Sequence, residues 1–200
     1  MMLALFVVAA FLIGSIPFGY IIGVLFFKTD IRKSGSGNIG AMNAMRTIGK
    51  GGAAAVLLLD ALKGFLPPHF VAHFDILPSY SAAAVAMAAV LGHCFSPWIG
   101  WKGGKGVATS FGAIFALCWP AGLVAIGGWA LGALLTRYSS VGSMLGSVLA
   151  AIALWYFTRD PWFTAYGICA AAFIVYTHRE NIARLRSGEE KAIPYGRVRR

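Results

Sequence analysis

Three short polar stretches interrupt an otherwise apolar chain, and each holds residue types suited to binding anions. The first is Ser34-Gly35-Ser36-Gly37-Asn38-Ile39-Gly40-Ala41-Met42-Asn43-Ala44-Met45-Arg46. Ser36, Asn38, Gly40 and Asn43 can offer hydroxyl, amide and backbone N–H donors to a negative charge. Arg46 adds a planar, permanently charged fork that matches phosphate. The competing reading, a flexible solvated loop, gives no reason for an arginine and two asparagines among glycines beside an apolar span.

The second stretch is Gly92-His93-Cys94-Phe95-Ser96-Pro97, followed by Trp101-Lys102-Gly103-Gly104-Lys105-Gly106-Val107-Ala108-Thr109. A glycine loop that opens a helix presents N–H groups and the positive end of a helix dipole, which is an anion site. It is not a Walker A loop, because Ile99 stands where that pattern has glycine and Gly106 where it has Ser or Thr. Lysines alone would mark a turn on the cytoplasmic side; the glycines around Lys105 point to phosphate contact, with Lys102, Gly103 and Gly104 beside it. His93 stays open between a hydrogen-bonded structural histidine and a catalytic one.

The third stretch, His178-Arg179-Glu180-Asn181-Ile182-Ala183-Arg184-Leu185-Arg186-Ser187-Gly188-Glu189-Glu190, continues past the last apolar segment. His178, Asn181 and Arg184 are three apart and share one helical face. Glu180 should turn away from it. Arg186, Arg197, Arg199 and Arg200 suit contact with anionic lipid headgroups instead. In Tyr138-Ser139-Ser140-Val141-Gly142-Ser143, Ser140 reads as a helix cap and Ser143 sits just inside the following span. Asp60 and Lys63 are costly in lipid and lie i, i+3 apart, so either they pair or they meet substrate.

Helices crossing a membrane must position these stretches. The chain has 200 residues, 58% hydrophobic and 12% charged, against about 25% charged in a soluble domain. The apolar excess runs its whole length, so it reads as one membrane-embedded domain over residues 1–200. A membrane helix needs about 20 apolar residues. Seven spans are predicted, near 2–27 (kinked at Gly14-Ser15-Ile16-Pro17), 51–70, 81–99, 107–119, 120–136, 141–157 and 162–177. The fourth and fifth could instead form one bent helix, which would leave six. The N-terminus lacks a basic leader region and reads as a retained span. With seven spans, every lysine and arginine except Lys63 and Arg159 falls on one side. The positive-inside rule then puts the N-terminus out and the C-terminus in the cytoplasm. The net charge of +10 is confined to short loops, which excludes a nucleic-acid-binding face and favours membrane topology and anionic substrates. Cys94, Cys118 and Cys169 have no metal spacing, and no cofactor or metal is expected.

Taken together, Ser-Gly-Ser-Gly-Asn-x-Gly-Ala-x-Asn, Lys-Gly-Gly-Lys-Gly-Val-Ala-Thr and His-Arg-x-Asn-Ile-x-Arg-Leu resemble the three motifs of the bacterial acyl-phosphate:glycerol-3-phosphate acyltransferase family, commonly called PlsY. The likeness runs from Gly14-Ser15-Ile16-Pro17 to Glu190, with Met42 where the family more often has threonine and Cys94 and Ser96 as variations. It implies a seven-helix protein of the inner membrane with a cytoplasmic active site. The implied reaction is acyl transfer from an acyl phosphate to the 1-hydroxyl of glycerol 3-phosphate, giving lysophosphatidic acid and inorganic phosphate. Membrane lipid surrounds the protein, and the implied neighbours in the reaction sequence are enzymes that make acyl phosphate and use lysophosphatidic acid. On this basis Ser36, Arg46, Gly103, Gly104, Lys105 and Ser143 are expected around the acyl phosphate, and Lys105, His178, Arg179 and Asn181 around glycerol 3-phosphate. The His-x-x-x-x-Asp pattern of other glycerophosphate acyltransferases is absent: Phe74, Pro78, Trp98 and Ala183 follow the four histidines at that spacing. No nucleophile–base–acid set suggests an acyl-enzyme. The rival class, a transporter for a phosphorylated solute, would need polar groups near the midplane and on both routes of access, and the outer side is almost bare of them.

Overall fold

A computed structural model of the protein describes residues 1–73 and 77–193. Arg197, Arg199 and Arg200 lie outside the described residues. The described residues are helical, without a strand. Ten α-helices follow in order: α1 Met2–Gly14, α2 Phe18–Phe27, α3 Ala41–Thr47, α4 Gly49–His73, α5 Ser79–Cys94, α6 Val107–Leu117, α7 Trp119–Thr136, α8 Ser139–Thr158, α9 Pro161–Thr177 and α10 Arg179–Ser187. Short 3₁₀ turns cover Ile31–Lys33 and Pro97–Ile99.

The first span is broken as the proline requires. Pro17 supplies no N–H, and the helix resumes at Phe18. The broken turn frees the Ser15 carbonyl and leaves the Ile16 carbonyl with the Phe18 N–H at 3.0 Å. The Ser96 hydroxyl donates to the first at 2.6 Å and the Lys63 ammonium to the second at 2.8 Å. An intramembrane lysine is therefore explained in part by a carbonyl at the helix break that lacks its usual helical partner. Lys63 also pairs with Asp60 at 2.7 Å, and His93 Nδ1 stands 3.6 Å from the same carboxylate oxygen. Of the two readings open for Asp60 and Lys63, the i, i+3 pairing is present.

Five helical segments are long and apolar enough to cross a bilayer: Met2–Phe27, Gly49–His73, Ser79–Ile99, Trp119–Thr136 and Ser139–Thr158. Helix α6 is shorter, 11 residues, or roughly 16 Å at 1.5 Å per residue. It stops at Leu117, two residues before the predicted end, because Cys118 adopts an extended conformation (φ −161°). Pro120 then lies in the first turn of α7, where its missing N–H costs nothing. A Cβ on Gly146 of α8 would touch both the Phe111 ring of α6, at 2.9 Å, and Ala125 to Trp129 of α7. Residues 111 and 125 therefore stand at one level, so the chain reverses at Cys118 and the single bent helix is ruled out.

Close backbone crossings fix where α6 begins. At Gly64 a Cβ would collide with the Thr109 carbonyl, and at Gly112 with the Ala61 carbonyl. Only hydrogen at these two positions lets α4 and α6 touch along their length. The outer surface is apolar, with Leu25, Phe26, Leu134 and Leu135 at about 70% exposure or more. Such a surface is suited to lipid.

Candidate active site

The three polar stretches converge at one end of the bundle. A groove of about 210 Å³ is lined by Ser36, Gly37, Asn38, Lys102, Gly103, Lys105, Glu180 and Arg184, so every stretch contributes.

The first wall is a loop tied down by one amide. Asn43 Nδ2 donates to the carbonyls of Ile31 and Asn38, both at 2.7 Å, and its Oδ1 accepts the Ser36 N–H at 2.7 Å. At 2% exposure it has no face for a ligand. In this structure Asn43 shapes the loop that presents Ser36. Gly35 turns the loop with φ +68°, and a Cβ there would meet the Asn43 amide. Asn38 Oδ1 accepts the Gly40 N–H at 2.8 Å, and Gly40 caps α3 in an ordinary extended conformation. Gly40 therefore belongs to the loop's architecture, while Asn38 reaches the groove. Arg46, in the last turn of α3, donates to the Lys191 carbonyl at 3.1 Å.

The second wall is the glycine loop. Its N–H groups do not do what their spacing suggests. The Gly103 N–H donates to the Cys94 carbonyl at 2.9 Å, and that of Gly104 to the His93 carbonyl at 3.1 Å. A side chain at Gly103 would strike the His93 carbonyl, and one at Gly104 the His93 ring. The glycines allow close approach of the loop to α5, and in this structure both N–H groups are committed to its carbonyls. His93, 4% exposed, supports the loop from beneath and does not line the groove. Gly106, at φ +82°, turns the chain into α6. The first-turn N–H groups of α6 have no intrahelical partners. Lys102 is exposed on the rim.

The third wall is α10. Lys105 Nζ donates to Asn181 Oδ1, and the Lys105 carbonyl accepts the Thr177 hydroxyl at 3.1 Å. Burial, reinforced by the Arg184 charge and partly offset by Glu190, lowers the Lys105 pKa to about 8. His178 donates from Nδ1 to the Ile174 carbonyl at 2.8 Å. Burial, then the Lys105 charge, lowers its pKa to about 4, so it is neutral at pH 7. With Nδ1 protonated, Nε2 is left as an acceptor. Arg179 sits a quarter-turn from this face. Its guanidinium lies 4.7 Å over the Tyr176 ring at the surface, outside the groove lining. Glu180 lines the groove beside Arg184, against the expectation that it turns away.

Glu190, at the end of the third stretch, has a side chain only 7% exposed. It accepts hydrogen bonds from Asn181 Nδ2 at 2.5 Å, Arg184 Nε at 2.8 Å and Ser140 Oγ at 2.9 Å. Burial opposes its charge, but these donors hold its pKa below the ordinary carboxyl value. The detectable signal was Gly188. As the left-handed residue ending α10 (φ +77°), it reverses the chain so that the Glu189 N–H reaches the Arg184 carbonyl at 2.8 Å. Two serines of α8 make different bonds. Ser140 caps nothing and joins the Glu190 cluster, while the buried Ser143 donates to the Ser139 carbonyl at 2.8 Å inside its own helix.

The arrangement can hold a small dianion among Lys105, Lys102 and Arg184, with a neutral histidine as a hydrogen-bond acceptor beside it. Among the described residues no cluster of three His, Cys, Asp or Glu side chains could bind a metal. Comparison with known proteins agrees with the chemistry. A family model described as glycerol-3-phosphate acyltransferase matches residues 4–188. A glycerol-3-phosphate acyltransferase of Synechococcus sp. (strain JA-3-3Ab) is 41% identical over 92% of this chain and 89% of its own. The protein of that name from Gluconobacter oxydans (strain 621H) is 44% identical over 96% and 93%. The crystal structure of PlsY (YgiH), an integral membrane glycerol 3-phosphate acyltransferase, in its glycerol 3-phosphate form superposes with a TM-score of 0.92 at 36% identity, covering 97% of this chain and 96% of that one. Its lysophosphatidic acid form gives 0.89 at 35% identity, covering 96% and 95%.

Proposed function

The chain belongs to the glycerol-3-phosphate acyltransferase family, and from that premise we propose that it moves an acyl group from an acyl phosphate to the 1-hydroxyl of glycerol 3-phosphate within the groove formed by Ser36, Lys105 and Arg184. It is an acyltransferase of phospholipid biosynthesis, and its product is lysophosphatidic acid. The observation that carries the donor assignment is the concentration of cations and donors in one groove without a nucleophile–base pair. Two phosphate-bearing substrates need opposing charge. An acyl phosphate is already activated, so no covalent acyl-enzyme is required.

In the reaction the glycerol 3-phosphate hydroxyl attacks the acyl carbon, and the bond from that carbon to the phosphate oxygen breaks. Lys105 and Arg184 hold phosphate charge. His178, neutral with Nε2 free to accept, orients the hydroxyl. The hydroxyl proton passes to a substrate phosphate, whose second pKa near 6 suits that role. Arg46 and Ser36 border the donor side, and Ser143 supports it from within α8. Glu190 fixes Asn181, which in turn fixes Lys105.

Seven spans, an external N-terminus and a cytoplasmic groove in the cell membrane complete the reading. The broken α1–α2 pair counts as one span, followed by α4 to α9. The charge asymmetry supports this orientation, as does the chain reversal at Cys118. The Gly106 backbone that opens the short α6 is buried in protein. The test is purified protein given palmitoyl phosphate, palmitoyl-CoA or palmitoyl-acyl carrier protein with glycerol 3-phosphate. Only the acyl phosphate should yield lysophosphatidic acid, with phosphate released one for one. Equal or faster turnover with a thioester would refute the donor assignment.

A further inference from the structure

Beside the active groove lies a second one, of about 330 Å³, lined by Asp30, Arg32, Lys33, Gly37, Ile99 and Lys102. Gly37 and Lys102 line both, so the two are adjoining. Its charges are built unevenly. Asp30 is committed to Arg32 through two contacts, at 2.9 and 2.8 Å, and the Arg32 guanidinium lies 4.2 Å over the Tyr20 ring of α2. That leaves Lys33 and Lys102, both exposed, without a direct carboxylate contact among the described residues. The groove's floor is apolar, Ile99 at 9% exposure, and beside it Trp98 and Trp101 are more than 60% exposed. Exposed tryptophans flanking paired cations are the composition of a membrane–water interface. The Asp30–Arg32 contact fixes one wall, and two lysines are left to meet an anion at headgroup level.

We propose that this second groove binds the phosphate of a glycerolipid headgroup, and that it receives lysophosphatidic acid as the product leaves the active groove for the bilayer. The inference rests on the acyltransferase reading for the identity of the product. The shared chemistry is a phosphate on an acylated glycerol. Product formed next door and bulk anionic phospholipid both supply it. Gly37 and Lys102 make a path along which a phosphate keeps one cation throughout its transfer.

The test is lipid binding, which does not depend on turnover. The whole protein in phosphatidylcholine nanodiscs is titrated with lysophosphatidic acid or with phosphatidylglycerol, and bound lipid is counted by native mass spectrometry. Lys33→Gln, an exposed change at a residue that does not line the active groove, should weaken lysophosphatidic acid binding about fivefold, the effect of one interfacial cation. Lys28→Gln, an exposed lysine outside the groove, should not. In turnover, Lys33→Gln should relieve product inhibition by a similar factor and leave KM for glycerol 3-phosphate unchanged. Weakened phosphatidylglycerol binding with unchanged lysophosphatidic acid binding would assign the headgroup site to bulk lipid and overturn the product route. Unchanged binding of both lipids would overturn the site itself. A rise in KM for glycerol 3-phosphate matching the loss of lipid binding would also overturn it, since the groove would then belong to the acceptor site. Failure of the acyltransferase reading shows separately, as wild-type protein that binds lipid and makes none.

Discussion

Raising the pH should switch off acceptor binding through Lys105 before it harms the fold. Burial and the Arg184 charge bring the Lys105 pKa from the usual 10.5 to about 8. The charged form is the one that holds phosphate, so the sign is fixed: binding is favourable below the pKa and is lost above it. At pH 9 only about a tenth of the free enzyme would carry the charge, so kcat/KM for glycerol 3-phosphate should be down about tenfold from its plateau. Bound substrate adds negative charge and raises the pKa, so kcat at saturating substrate should hold to higher pH while KM climbs. The substrate's own phosphate titrates near pH 6 and confines its effect to the acid side. Initial rates of lysophosphatidic acid formation between pH 6 and 10 give both curves. Lys105→Arg should lower the plateau but remove the alkaline limb, because guanidinium keeps its charge. Glu190→Gln should move the limb to lower pH, since the carboxylate helps keep Lys105 protonated. A flat kcat/KM from pH 7.5 to 9.5 in the wild-type enzyme would refute the reasoning.

The remaining predictions are briefer. Asn43→Ala removes the partner of two carbonyls and one N–H, and each group left unsatisfied costs about 1–3 kcal/mol; a detergent melting curve should shift down together with activity. Gly104→Ala drives a methyl into the His93 ring, so turnover should fall more than tenfold, and His93→Ala in the same chain should restore part of it. Arg179→Gln should stay within about twofold of wild-type kcat/KM, whereas Lys105→Ala should lose about 10² in turnover; equal losses would show that the surface position of Arg179 is not its working one.

Much of the architecture is legible from the chain itself. Pro17 and Pro120 announce breaks because proline removes a donor, and the Asp60–Lys63 pair follows from helical spacing in lipid. The three polar stretches are recognisable because charge is conspicuous in so apolar a chain. What escapes sequence reasoning is the direction in which polar atoms point. Asn43 and Ser36 look equivalent as residue types, yet one is tied to three backbone groups and the other faces the groove. Gly103 and Gly104 suggest N–H donors, but the path of α5 beneath them places carbonyls where a ligand was expected. Glu190 was concealed because its contacts with Ser140 and Asn181 depend on a reversal at Gly188 and on how α8 meets α10. These are tertiary facts, and periodicity carries none of them.

The central claim is that the groove transfers the acyl group directly between two phosphate-bearing substrates. Rapid-quench single turnover, with enzyme in excess over acyl-labelled acyl phosphate, tests it most directly. The account predicts that label moves from acyl phosphate to lysophosphatidic acid in one exponential, that no label is ever bound to protein, and that omitting glycerol 3-phosphate abolishes phosphate release. A burst of phosphate without acceptor, with label trapped on a serine or cysteine, would contradict it.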